Sequence, residues 1–253
     1  TWTKSWPPPS RTRTLALAAG GQLQPVARKR RSAVTGSDSF VYAGATGSGQ
    51  PDPAYGGVGL PSRQMYGEQP RVPGSWLDYT TAPLTADLPL LGSASADLWI
   101  SSTAPDTDLQ VSLTEIRPDG QEVFVQQGWL RASHRKLDPS QSTAVRPYQT
   151  HQQADQQLLV PGQPVLARVE VFPFGHLFRA GSRLRLTIEA PKPLPDLWSF
   201  VALPVPGVTT VLHDPLYPSR LVLSEARGSA RPEAPTPRPD CGTLIHQPCR
   251  PAA

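Results

Sequence analysis

Residues 108–116 read DLQVSLTEI, with Leu109, Val111, Leu113 and Glu115 falling on one side and Gln110, Ser112 and Thr114 on the other. A period of two marks a strand with one face in a core and one towards water. The next residues, Arg117-Pro118-Asp119-Gly120, put Pro and Gly where a tight turn uses them. Residues 122–125 then return as the partner strand. The same grammar extends outward in both directions. Residues 97–101 (DLWIS) and 128–134 (GWLRASH) read as short strands. Val165, Ala167, Val169 and Val171 share one face of a strand over 164–171. After the turn Ala180-Gly181-Ser182, residues 183–189 (RLRLTIE) form a strongly amphipathic strand, and 219–223 (SRLVL) form a last one. Near the start, residues 12–17 alternate and end at the turn Ala18-Ala19-Gly20-Gly21. Many short strands punctuated by Gly and Pro, with no helical periodicity, predict an all-β sandwich.

The ends read differently. Much of the chain's store of 31 prolines and 20 glycines lies outside the patterned middle. Residues 1–73 read as an irregular, Pro- and Gly-rich N-terminal arm and loop, 74–226 as the sandwich, and 227–253 as a Pro-rich tail. The chain opens at Thr1-Trp2-Thr3 without an initiator Met, which reads as a piece of a larger protein. No apolar run approaches the roughly 18 residues of a membrane helix, so no membrane partner is expected. The net charge of +4 is mild for 253 residues. Its one basic run, Arg28-Lys29-Arg30-Arg31, reads as a solvated loop, with no interleaved aromatics to make it a nucleic-acid surface.

The two cysteines, Cys241 and Cys249, stand in CGTLIHQPC. A disulfide here closes a small loop and places the protein in an oxidising, secreted or periplasmic compartment. Two free surface thiols are the alternative. A zinc site is disfavoured because His246 is the only imidazole close by in sequence. Asp106 and Asp108 in PDTD have the oxygen chemistry of calcium ligands. No third or fourth oxygen ligand is evident, so the favoured reading is a structural turn. One Asp caps backbone N–H groups and the other pairs with Arg131 or Arg135. His176, between Phe174 and Phe178, reads as a core histidine satisfied by a backbone carbonyl, and Trp99 and Trp129 read as core. Trp2, Trp6 and Trp76, in irregular chain, are the better interface candidates. No metal or cofactor is expected.

Several pieces in order carry a resemblance. They are Trp6-Pro7-Pro8 with Gly20-Gly21-Gln22-Leu23; Leu84-Thr85-Ala86-Asp87 with APDTDL over 104–109; Pro118-Asp119-Gly120 with GWLRASHR over 128–135; GHLFRAGSRLRL over 175–186; and His213 with PSRLVL over 218–223. Together, over about residues 1–225, they resemble the C-terminal jelly-roll domain of the X-Pro dipeptidyl-peptidase and cocaine-esterase-like (CocE/NonD) serine hydrolases. The resemblance implies a galactose-binding-like jelly roll that packs on an α/β-hydrolase catalytic domain and supports oligomer contacts. It further implies that the loop AYGGVGLP over 54–61 contributes Val58 and Leu60 to a substrate pocket between the domains. The segment APKPLPDLW over 190–198 departs from the family's Ser- and Asn-rich continuation and leaves the subfamily open.

The catalytic machinery of that family is a Ser-His-Asp triad on a strand–turn–helix elbow. Gly47-Ser48-Gly49 lacks the flanking strand and helix, and the histidines are scattered, so no catalytic residue is expected. The alternative from another class is a free-standing carbohydrate- or ligand-binding module, because a fold does not fix a function.

Overall fold

A computed structural model describes residues 9–26, 36–42, 73–191, 203, 205–228, 237–241, 243 and 249–252. Val58, Leu60, Trp2, Trp6, Ser48, His246 and the basic run 28–31 lie outside the described residues. Among the described residues, twelve strands form one continuous sheet that folds over a hydrophobic core. In chain order they are β1 (Ser10–Ala18), β2 (Gln22–Pro25), β3 (Ser37–Tyr42), β4 (Trp76–Thr81), β5 (Leu88–Ser102), β6 (Asp108–Ile116), β7 (Gln121–Arg131), β8 (Val165–Phe178), β9 (Arg183–Glu189), β10 (Gly207–Leu212), β11 (Arg220–Ala226) and β12 (Cys249–Pro251). Short 3-10 turns at Ala132–His134 and Gln153–Asp155 are the helical elements among the described residues. The protein is an all-β sandwich.

One layer runs β12-β7-β6-β9-β4, and the other is built on β5, with β8 along one edge and β11 and β10 along the other. The short parallel pair of β2 and β4 joins the layers through β1. Strands β1, β2 and β3 belong to the segment read as an irregular arm, yet they are hydrogen-bonded members of the sheet: β1 lies along β11 from Ser10↔Ala226 to Ala16↔Arg220. The inward residues are those of the period-two pattern. Leu109, Val111 and Leu113, with Leu186 and Ile188 beside them on β9, share one core cluster with Leu98, Ile100, Val169 and Val171 of the other layer, all without solvent exposure. Burying each such side chain stabilises the fold by about 1.5–3 kcal/mol before conformational entropy is subtracted.

β6 departs from a half-buried strand. Gln110, Ser112 and Thr114, on its outer face, are 4%, 6% and 1% exposed. Long polar side chains from neighbouring strands lie across them. Trp129 Nε1 donates to Gln110 Oε1 at 2.9 Å, Gln110 Nε2 to Glu189 Oε1 at 3.3 Å, and Thr114 Oγ1 to Glu122 Oε1 at 2.7 Å. Glu122 also accepts from Arg250 Nε at 2.9 Å, which ties β12 to this layer. Trp99 and Trp129 are half-buried on outer faces instead of in the core. Each is out of phase with its inward neighbours and packs elsewhere in a tilted ring pair, Trp99 against Tyr217 at 5.1 Å and Trp129 against Phe172 at 5.6 Å between centroids. β7 and β8 come close together at Gly128, where a Cβ would stand 1.7 Å from the Glu170 carbonyl oxygen.

Candidate functional site: the loop-bearing end of the sandwich

Each end of β6 carries a polar cluster, and the one at Asp108 also holds loop stems. Asp106 precedes the strand. Its Oδ1 accepts the backbone N–H groups of Thr107 and Ser133, each at 2.9 Å. Asp108 is 1% exposed. It lies opposite Arg131 in the β6–β7 ladder, so the two side chains share a face. Arg131 grips it with both arms of the guanidinium, Nε to Oδ1 at 2.7 Å and Nη2 to Oδ2 at 3.0 Å. Hydrogen bonding to Asp108 raises the Arg131 pKa against the lowering effect of burial. Arg135 goes elsewhere, donating to the carbonyl oxygens of Ala132 and Gln157. Both aspartates are therefore occupied by protein donors, and no group of three or more potential metal-ligating side chains exists among the described residues.

Tyr42, at the end of β3, completes the cluster. Its hydroxyl donates to Asp108 Oδ2 at 3.2 Å and accepts the Leu203 N–H at 3.0 Å. Burial pushes the Tyr42 phenol pKa up, and the Asp108 charge adds to that. Next to it, Val41 N–H donates to Gly74 O at 2.8 Å and closes the base of the segment that carries Val58 and Leu60. Thr107 and Thr209 share a hydroxyl hydrogen bond of 2.8 Å. Through the Tyr42 hydroxyl, the Asp108–Arg131 pair is thus tied to Leu203; Tyr42 and Leu203 are the residues that flank 43–72 and 192–202. The spacing in PDTD pointed to the aspartates. Nothing in the sequence pointed to Tyr42, because Phe40-Val41-Tyr42 reads as a continuous apolar run.

An apolar strip leads to this end along an outer face. Leu166, Trp99 and Leu212 are consecutive cross-strand neighbours on β8, β5 and β10. Val208 and Val41 pair further along and are 38% and 47% exposed, and Leu216 beside Tyr217 is 73% exposed. Trp76 is half-buried at the start of β4, its indole N–H donating to Asp78 Oδ2 at 3.1 Å.

At the far end of β6, Glu115 faces inward and is 2% exposed. His176 Nε2 meets its Oε2 at 2.9 Å, so the histidine read as bonded to a carbonyl has a carboxylate partner, and its ring packs edge-on against Phe178. Arg238 Nη2 donates to Glu115 Oε1 at 3.1 Å and to Ser182 Oγ at 3.0 Å. Burial pushes the Glu115 carboxyl up, but the hydrogen bond and charge of His176, the Ser182 hydroxyl and the Arg238 charge outweigh it and hold the pKa below the ordinary carboxylate range. Arg117 Nη1 donates to Pro239 O at 2.9 Å. Cys241 and Cys249 are joined as a disulfide, and Cys249–Pro251 continue as β12 on the edge of β7. A second His–carboxylate contact, His213 Nε2 to Asp38 Oδ2 at 2.9 Å, is shared with the Tyr79 hydroxyl at 2.7 Å. The His213 side chain is 3% exposed and the Asp38 side chain 36% exposed, and no serine bonds to the ring among the described residues.

These features define an all-β module whose polar clusters hold loops and a tail in place and present no assembled nucleophile among the described residues. Residues 3–222 match the X-Pro dipeptidyl-peptidase C-terminal non-catalytic domain, and the chain belongs to that family. It is 33% identical over 186 residues to a protein named as a serine esterase of Mycobacterium bovis, covering 73% of this chain and 29% of that protein. It is 27% identical over 146 residues to cocaine esterase of a Rhodococcus species, covering 54% of this chain and 25% of that enzyme. A solved CocE/NonD family hydrolase from Staphylococcus aureus superposes with a TM-score of 0.66 at 18% identity, covering 90% of this chain and 38% of the other. The chain therefore spans about three tenths of the length of the M. bovis relative.

Proposed function

We propose that this chain is the C-terminal accessory domain of an α/β-hydrolase-type serine hydrolase, an X-Pro dipeptidyl-peptidase or an ester or amide hydrolase. It packs on the catalytic domain and helps to wall the substrate pocket, and the parent reaction is acyl transfer to a serine that the catalytic domain supplies. The match of residues 3–222 to a non-catalytic domain family carries this reading. Two features of the structure support it. The base of the segment bearing Val58 and Leu60 is pinned by Val41, Gly74 and the Tyr42–Asp108–Arg131 cluster. The strip of Leu166, Trp99, Leu212, Val208 and Val41 offers apolar area of the kind that marks docking faces. An exported, oxidising location goes with this reading and is supported by the bonded cysteine pair.

The test uses p-nitrophenyl acyl esters, an X-Pro-p-nitroanilide and a fluorophosphonate probe. The chain alone is expected to show neither turnover nor labelling, and stoichiometric labelling would overturn the assignment. In the protein with its catalytic domain, Val58→Asp or Leu60→Asp is expected to lower kcat/KM by roughly tenfold or more, as for disruption of an apolar pocket. Trp99→Ala with Leu166→Asp is expected to weaken association of the separately expressed halves. Unchanged kinetics and unchanged association would place both the pocket wall and the docking face elsewhere.

A further inference from the structure

His134 and His151 are 17 residues apart in sequence, yet their Nδ1 atoms stand 3.3 Å from each other. The chain brings them together by clipping the two segments: Thr150 N–H donates to Lys136 O at 3.0 Å, Asp138 N–H to Tyr148 O at 2.8 Å, and Leu137 bridges Gln149. The rings are 5.6 Å apart between centroids and inclined at 61°, with the facing nitrogens on the solvent side. We propose that this pair is a binding site for a borderline divalent transition cation, Zn2+ or Cu2+, held by the two Nδ1 lone pairs.

Three observations carry it. The first is the spacing. A tetrahedral ion with metal–nitrogen bonds of about 2.0–2.1 Å holds two ligand nitrogens about 3.3 Å apart. The same 3.3 Å is long for a hydrogen bond between ring nitrogens. The second is the backbone. His151 has φ 49°, the one non-glycine residue in the left-handed region among the described residues. Such a conformation persists where the surroundings enforce it, and it clusters at ligand sites. The third is unused polar capacity. The residue before each histidine carries a buried hydroxyl oxygen, Ser133 Oγ and Thr150 Oγ1, with no hydrogen-bond partner. The nearby cation Lys136 is paired with Asp155 at 3.8 Å, so its charge is partly offset. Imidazole nitrogen suits zinc and copper and not the hard cations, which take oxygen ligands. Among the described residues no third His, Cys, Asp or Glu joins the pair, so water fills the remaining positions and the ion exchanges readily.

The experiment is titration of the whole chain, stripped with a chelator, with Cu2+, Zn2+ and Mg2+ by calorimetry, together with the paramagnetic resonance spectrum of the copper form. One Cu2+ or Zn2+ per chain is expected, with nitrogen hyperfine structure from two imidazoles, and no binding of Mg2+. Substitutions merely around metal ligands already cost about 10-fold or more in affinity, so His134→Ala and His151→Gly are each expected to cost at least that. Glycine accepts a φ of 49°, so His151→Gly keeps the fold, and an unchanged melting temperature verifies this. Absence of saturable binding by both transition ions overturns the proposal. So does binding that survives in the double variant, which would move the ion to another site such as His246.

Discussion

The Glu115 carboxylate and the His176 imidazole meet at 2.9 Å from strands that are not neighbours in the sheet. Glu115 sits on the inward face of β6, where the pattern calls for an apolar residue, and His176 reaches it from β8. Arg238 of the tail adds a charge to the same carboxylate. The sandwich is thereby closed at this end by an ionic plug that also anchors the tail.

The plug has a pH signature. Glu115 has a folded-state pKa below its ordinary value of 4.5. Its contribution to stability is therefore present above that value and is lost as the pH falls through it towards the folded-state pKa. Urea unfolding between pH 7 and pH 3 is expected to show this loss, and Glu115→Gln is expected to flatten that part of the profile. An identical acid slope in the variant would assign the loss to other carboxylates, such as Glu225, whose pKa is also lowered.

At the opposite end, Asp108 is buried with a bidentate arginine partner. Asp108→Ala removes the carboxylate that Arg131 and Tyr42 both bond. A loss of about 1.5–3 kcal/mol is expected, the size of a charged hydrogen bond, because the Arg131 side chain is 25% exposed and keeps access to water. Adding Arg131→Met is expected to recover part of it. Denaturant unfolding of the single and double variants measures both effects, and strict additivity would show that the two side chains are not coupled.

Gly128 lies where β7 and β8 pack without pairing. A methyl group there would stand 1.7 Å from Glu170 O and 3.3 Å from Val171 Cα, and backbone cannot yield as a side-chain tip does. Gly128→Ala is expected to destabilise by about 3 kcal/mol or more, at or beyond the upper end of overpacking costs. A melting temperature within a degree or two of the parent would contradict the close approach.

The Cys241–Cys249 disulfide closes a span with a sequence separation of 8. In the chain-entropy account a loop of this size contributes about 2–3 kcal/mol, mostly to the tail. Cys241→Ser with Cys249→Ser is expected to release β12 first. Hydrogen exchange at Gln121, Glu122 and Val123, the residues opposite β12, should quicken while the inward amides of β6 and β9 stay protected. Uniform loss of protection would instead mean that the tail is integral to global stability.

Several strands were legible because their pattern is local. Over 108–116 and 183–189 the alternation gives the bounds of β6 and β9 as the structure has them. Others were not. β3 (SDSFVY), β4 (WLDYTT) and β10 (GVTTVL) carry runs or clusters in place of clean alternation, and β2 is four residues long. The readings over 122–125 and 128–134 proved to be one strand, Gln121–Arg131, followed by a 3-10 turn, because a bulge at Leu113/Thr114 shifts the phase of the pattern without ending the ladder.

By itself the sequence determined the all-β class, the central hairpin and the family resemblance. Each depends on side-chain periodicity or on residues close together in the chain, so short-range chemistry suffices. Only the tertiary structure decided that Arg131 and not Arg135 grips Asp108 and that Tyr42 joins them. It also decided that the outer face of β6 is roofed by Trp129, Glu189 and Glu122, that Glu115 is met by His176 and Arg238, and that His134 faces His151. These contacts join residues from separate strands and loops. A period-two pattern fixes which face a side chain takes, but not which distant strand covers that face; strand order and layer packing decide that.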